Sequence, residues 1–157
     1  MRRPPLLFFL LALILSLSAV AVAEPPAPGK NDKCPVCGMF VTRHPDWMAI
    51  AELNDHPPLF LCGPKDLFKF IHFPGKYLPQ TARQKIEAVH VKDYYSLSFI
   101  DGRQAVYVPG SDLLGPMGNE LIPFKSRDEA AEFMRDHGGR PPVTFGEVTP
   151  QALLELD

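Results

Sequence analysis

Beyond residue 33 the chain consists of short apolar runs separated by turn-forming residues, with no long single periodicity. Trp47 to Leu53 (WMAIAEL) predicts a strand, Asn54 to Pro58 a turn, and Leu59 to Cys62 (LFLC) its hairpin partner. Gly63-Pro64 then opens a helix with proline at its first position, where the missing N–H is harmless. Leu67, Phe68, Phe70 and Ile71 recur at helical spacing, and Pro74-Gly75 is a stop. A further strand is expected near Ile86 to Val91.

The later half repeats this order. Leu97 to Ile100 and Gln104 to Val108 flank Asp101-Gly102, a hairpin signal. Ser126 with Glu129 forms a capping-box pattern, and Ala130, Phe133, Met134 and His137 follow at helical spacing. Gly138-Gly139 ends that helix, Val143 to Phe145 predicts a last strand, and Thr149-Pro150 starts a short helix with Leu153 and Leu154. The expected class is α+β: two small ββαβ units in tandem, about 34–95 and 96–157, related by internal duplication. One continuous α+β sheet is the plain alternative.

The first segment stands outside this pattern. Arg2-Arg3 precedes an apolar run from Leu6 to Val22 that ends in Ala21-Val22-Ala23. Basic flank, apolar stretch and small-residue site predict a secretory signal peptide over 1–23, cut after Ala23. The alternative is an uncleaved helix, which would hold the protein at the membrane. No cysteine stands at the cut, so a lipid anchor is not expected, and the predicted location is periplasmic. Glu24 to Lys33 (EPPAPGKNDK) predicts a flexible linker.

Composition narrows the function. With 46% hydrophobic residues the chain is too apolar for general disorder, although 18 prolines and 11 glycines imply many loops. The net charge of −2 offers no basic excess for nucleic acid, and loss of Arg2 and Arg3 makes the balance more acidic. Three cysteines are too few for a disulfide scaffold, and an odd number leaves at least one thiol free, shared or metal-bound.

Those cysteines are the main candidates for chemistry. Cys34-Pro35-Val36-Cys37-Gly38-Met39 sets two thiols on a turn and adds a thioether two residues later. Such soft donors select Cu(I), or the two cysteines close a simple disulfide. Zinc asks for four donors, and no second Cys-x-x-Cys is present. Cys62 falls just before a helix, where the N-terminus lowers a thiol's pKa; a small buried apolar role is the alternative. Met117, in Gly115-Pro116-Met117-Gly118, lies outside any apolar periodicity and could be presented to a ligand by a tight turn or packed in the core. Of the histidines, His44 is the more plausible ligand, while His72 and His137 suit helix C-termini. No phosphate loop, paired-carboxylate signature or His-Glu-x-x-His motif is present, and the chain is not expected to be an enzyme. A thiol–disulfide oxidoreductase using Cys34 and Cys37 is the alternative function.

Taken in order, Cys34-x-x-Cys37-Gly38-Met39, Phe60-Leu61-Cys62 before Asp66-Leu67-Phe68, Ala105-x-Tyr107-Val108-x-Gly110-Ser111, Gly115-Pro116-Met117-Gly118, Pro123-Phe124 and Gly138-Gly139 resemble the NosL family. The similarity spans about residues 33 to 148. It implies an exported Cu(I)-binding accessory protein of nitrous oxide reductase, built from two ββαβ units. The implied metal positions are Cys34, Cys37, Met39, Cys62 and Met117, with Met117 and one or more of Cys37, Met39 and Cys62 as the favoured set. The implied partner is a copper-receiving enzyme or its assembly machinery. Many members of that family are lipoproteins and some carry a histidine-rich tail; neither feature is evident here.

Overall fold

The computed structural model describes residues 24–81 and 84–157. The predicted signal segment lies outside the described residues. Among those described, no helix is long and apolar enough to cross a membrane. Glu24 to Lys33 forms no helix or strand, but its end is tied down: Gly29 N donates to Asp32 Oδ2 at 2.8 Å, and Val41 N donates to the Asp32 carbonyl at 3.1 Å.

The fold is α+β with two antiparallel sheets. The first contains β1 (Ala49–Leu53), β2 (His56–Leu61), β3 (Ile86–Lys92) and β4 (Phe99–Asp101) in the order β2-β1-β3-β4. The second contains β5 (Val106–Gly115), β6 (Gly118–Phe124) and β7 (Val143–Thr144) in the order β6-β5-β7. In each, a hairpin is followed by a helix, α1 (Pro64–His72) or α3 (Arg127–His137), and then by a strand that returns beside the hairpin's first strand. This is the expected ββαβ order, twice over. Short helices α2 (Pro74–Tyr77) and α4 (Pro150–Leu154) complete the fold.

Helix α1 lies between the sheets, packing on β1 and β2 of the first and on β6 of the second. Phe68 meets Tyr107 edge-on, with ring centroids 5.1 Å apart, and Phe145 at the same distance. The main core therefore joins Ile50, Leu61, Val89 and Val91 of the first sheet with Leu67 and Phe68 of α1 and Tyr107 and Leu121 of the second sheet. The alternation of β5 turns Val106 and Val108 to the other face, where Ile122, Phe124, Ala130 and Phe133 form a second cluster under α3.

Two sequence readings are corrected and a third is extended. Leu97 to Ile100 does not form a hairpin with Gln104 to Val108; β4 pairs with β3 instead, Val91 opposite Ile100. Asp101-Gly102 does turn, but Gly102 N donates to the Val89 carbonyl at 2.8 Å, so the turn is fastened to β3. Second, the hairpin partner of β5 is β6, and the Gly115-to-Gly118 stretch is their connection. Pro116 suits the first corner of that turn, and Gly118 supplies the positive φ of 81° that follows it. Third, Pro74-Gly75 ends α1 and also begins α2, because proline is tolerated at a first helical position.

Candidate metal centre

The Cys34 loop is closed by its own backbone. Cys34 N donates to the Met39 carbonyl and Gly38 N to the Cys34 carbonyl, each at 2.9 Å, while Lys33 and Phe40 form an isolated antiparallel bridge. Gly38 sits at φ 78°, a value that glycine adopts without strain. This tight knuckle directs Cys34 into the core, where it is 1% exposed, and leaves Cys37 half-buried.

The second contribution comes from the β2–α1 junction. Cys62 follows β2 directly, Gly63 is the N-cap, and Asp66 stands in the first turn of α1. Cys62 and Asp66 are both buried. Ligand atoms of Cys34, Cys37, Cys62 and Asp66 all lie within 4.8 Å of one another. Cys37 Sγ and Cys62 Sγ are 2.9 Å apart, and Cys34 Sγ donates to Asp66 Oδ2 at 3.3 Å. Three soft sulfurs and one oxygen can thus converge on a single ion.

Proton positions in the cluster are coupled. The Cys34 pKa is lowered, chiefly by the hydrogen bond that Cys62 gives its sulfur, against burial and the charge of Asp66. Cys37 is pushed up to about 12, first by burial. Cys62 is also raised, because it donates to Cys34 and is desolvated. The expectation that the helix N-terminus lowers Cys62 is therefore corrected; the lowered thiol is Cys34. A bound cation would oppose burial and favour loss of all three protons, so metal binding would release protons.

The predicted methionines occupy different places. Met39 is half-buried against the main core, with its carbonyl closing the knuckle. Met117 is 44% exposed on the β5–β6 turn. Its carbonyl accepts from Lys65 Nζ at 2.9 Å, which ties the turn to the first turn of α1 beside Cys62 and Asp66. No histidine joins the cluster among the described residues. His72 Nε2 donates to the Val148 carbonyl, 2.7 Å away, and His137 pairs with Asp112 at 3.0 Å, in line with their helix-end positions.

Sequence reasoning passed over three residues. Asp66 was legible as an acidic residue four positions after Cys62, within the helix's first turn. Lys65 and Glu120 were not. Glu120 Oε1 accepts from Lys65 N at 2.5 Å and Leu121 N at 2.9 Å, and a side chain at Gly63 would collide with its other oxygen. Burial raises its pKa to about 8, the two N–H bonds opposing the shift. Lys65 and Glu120 thus clasp α1 and the β5–β6 hairpin in both directions.

Fold and site together define a small α+β protein with a thiol-rich candidate metal centre. The family model described as NosL matches residues 25–153, and the chain belongs to the NosL family. It is 31% identical over 172 residues to the copper-binding lipoprotein NosL of Achromobacter cycloclastes, covering 97% of this chain and 84% of that protein. It is 30% identical over 140 residues to the copper-binding lipoprotein NosL of Stutzerimonas stutzeri, covering 84% and 69%. Among solved structures, the crystal structure of the copper chaperone NosL from Shewanella denitrificans aligns with a TM-score of 0.69 at 26% identity, over 82% of this chain and 97% of that one.

Proposed function

We propose that this chain is an extracytoplasmic Cu(I) carrier that hands its ion to a copper enzyme, nitrous oxide reductase being the favoured client. The observation that carries the reading is the convergence of Cys34, Cys37, Cys62 and Asp66 within 4.8 Å. Thiolates are the donors that select Cu(I). The copper-binding names of the relatives support the metal, and their lipoprotein names, with the predicted signal segment, support the compartment. The favoured donors are Cys34, Cys37 and Cys62, with Met39 and Met117 as thioether candidates. Met117 is exposed on a turn tethered beside the cysteines, a position from which a ligand can exchange with a receiving protein.

An anaerobic competition titration of the reduced chain against a chromophoric Cu(I) chelator tests this, with X-ray absorption to identify donors. One tight site with sulfur donors is expected. Met117→Ala should weaken the site while leaving the unfolding midpoint in place; unchanged affinity would remove Met117 from it. Absence of competition would overturn the carrier reading. Transfer of the ion to copper-free nitrous oxide reductase, followed by recovery of its activity, tests the client.

A second metal has one observation in its favour. With Cys62 and Asp66 added to Cys34 and Cys37, the donor set reaches the four that zinc takes in closed sites. Competition between Zn(II) and Cu(I) for the same chain decides between them. The oxidoreductase reading of Cys34 and Cys37 has less support: their loop opens no α-helix, and Cys37 is at hydrogen-bond distance from Cys62.

A further inference from the structure

We infer that Cys37 and Cys62 are an oxidation site: they close to a disulfide across the mouth of the centre, leave Cys34 as the unpaired thiol, and thereby switch the site off. The cysteines nearest in sequence are Cys34 and Cys37, but the geometry favours another pair. Cys37 Sγ lies 2.9 Å from Cys62 Sγ, so a bond of about 2.05 Å needs an approach of roughly one ångström. Cys34 is also in reach of Cys62, but its sulfur is drawn to the other side of the cluster, donating to Asp66 Oδ2 at 3.3 Å. Access points the same way. Cys37 is half-buried, whereas Cys34 and Cys62 are each 1% exposed. An external reagent reaches Cys37 first, and Cys62 is placed to resolve the product.

The co-reactant is an external disulfide, small-molecule or protein. The Cys37 sulfur, giving up its proton to solvent, attacks one sulfur of that disulfide, forming a mixed disulfide and releasing one thiolate. The Cys62 sulfur then attacks the Cys37 sulfur, closing the internal bond and releasing the second. The two protons lost by Cys37 and Cys62 leave with those thiolates as two thiols. The protein dithiol is oxidised by two electrons and the external disulfide is reduced by two. The closed form keeps one thiol and Asp66, so it lacks two of the three sulfurs that the proposed copper site uses. This last consequence rests on the Cu(I) reading; the bridge itself does not.

The test incubates the full chain in buffers of oxidised and reduced glutathione, quenches with acid, alkylates free thiols and maps peptides without reduction. A peptide linking Cys37 to Cys62, with Cys34 alkylated, is the expected product. Cys34→Ser should form the same link, and Cys62→Ser should stop at a glutathione adduct on Cys37. A dominant Cys34–Cys37 or Cys34–Cys62 link would overturn the inference, as would three free thiols or glutathione adducts alone in the unaltered chain. Cu(I) affinity of the reduced and oxidised chain then separates the two readings. A fall of about 100-fold or more on oxidation supports the switch. Equal affinity in both states retains the bridge but overturns its control of the site. A reduced chain that binds no Cu(I) overturns the carrier reading and leaves the mapped bridge standing.

Discussion

The β2–α1 and β6–α3 junctions occupy equivalent places in the two ββαβ units but are built differently. Each has two residues between strand and helix, Cys62-Gly63 in one and Lys125-Ser126 in the other, and each has an acid at the third helical position, Asp66 or Glu129. The second junction caps its helix from its own residues, although Lys125 N also donates to Asp93 Oδ1 at 3.0 Å. Ser126 Oγ accepts from Glu129 N at 3.2 Å, and exposed Lys125 pairs with Glu129 at 2.9 Å. The first has no side-chain cap of its own. Its Lys65 N–H is taken by Glu120 from the other sheet, and its acid turns inward to Cys34. A helix start that caps itself needs only local residues. One whose cap comes from a distant strand leaves its own first turn available for ligands, at the cost of depending on the second unit.

The largest effect expected from breaking this contrast is on metal binding. Cys62→Ser should lower Cu(I) affinity about 100-fold or more, whereas Lys125→Ala, the equivalent change, should leave it unaltered in the same titration. Next comes the distant cap. Glu120 holds its proton up to about pH 8 when folded, while the unfolded chain loses it in the ordinary carboxylate range. The folded form therefore binds more protons between those values, and stability falls as pH rises through that window. The loss should be about 4 kcal/mol between pH 5 and 8.5 by urea unfolding. Glu120→Gln keeps an acceptor for the two N–H groups and should flatten that slope; an unchanged slope would remove Glu120 as its source. A smaller effect is expected at the locally capped junction, where Ser126→Ala should cost about 1 kcal/mol at every pH and leave Cu(I) affinity intact. Smallest is Lys125→Ala in its effect on stability, since an exposed i,i+4 pair contributes little; its unfolding midpoint should match that of the unaltered chain at high salt.

How much of this could be read without a structure differs by element. Helices α1 and α3 were legible because their signals are local: Pro64 at the start, Ser126 as cap, apolar residues at helical spacing. Cys34, Cys37 and Cys62 were legible as candidates, but their meeting was not, since it depends on the knuckle folding onto the β2–α1 junction. Strand β6 was hidden because Gly115, Pro116 and Gly118 look like a loop and Pro123 interrupts the run. The pairing of β4 was hidden for another reason. Asp101-Gly102 is a genuine turn whose partner is chosen by Val89, twelve or more residues away in sequence, where close approach excludes a side chain at Gly102. Glu120 reads as an ordinary surface acid until the fold buries it against Gly63.

The prolines of the outer strands have a wider consequence. β2 is an edge of its sheet and carries Pro57 and Pro58; β6 is an edge of the other and carries Pro123. At those positions the backbone has no hydrogen to offer a neighbouring chain. Neither edge can be lengthened there by recruiting a foreign strand, which discourages fibrillar stacking of copies.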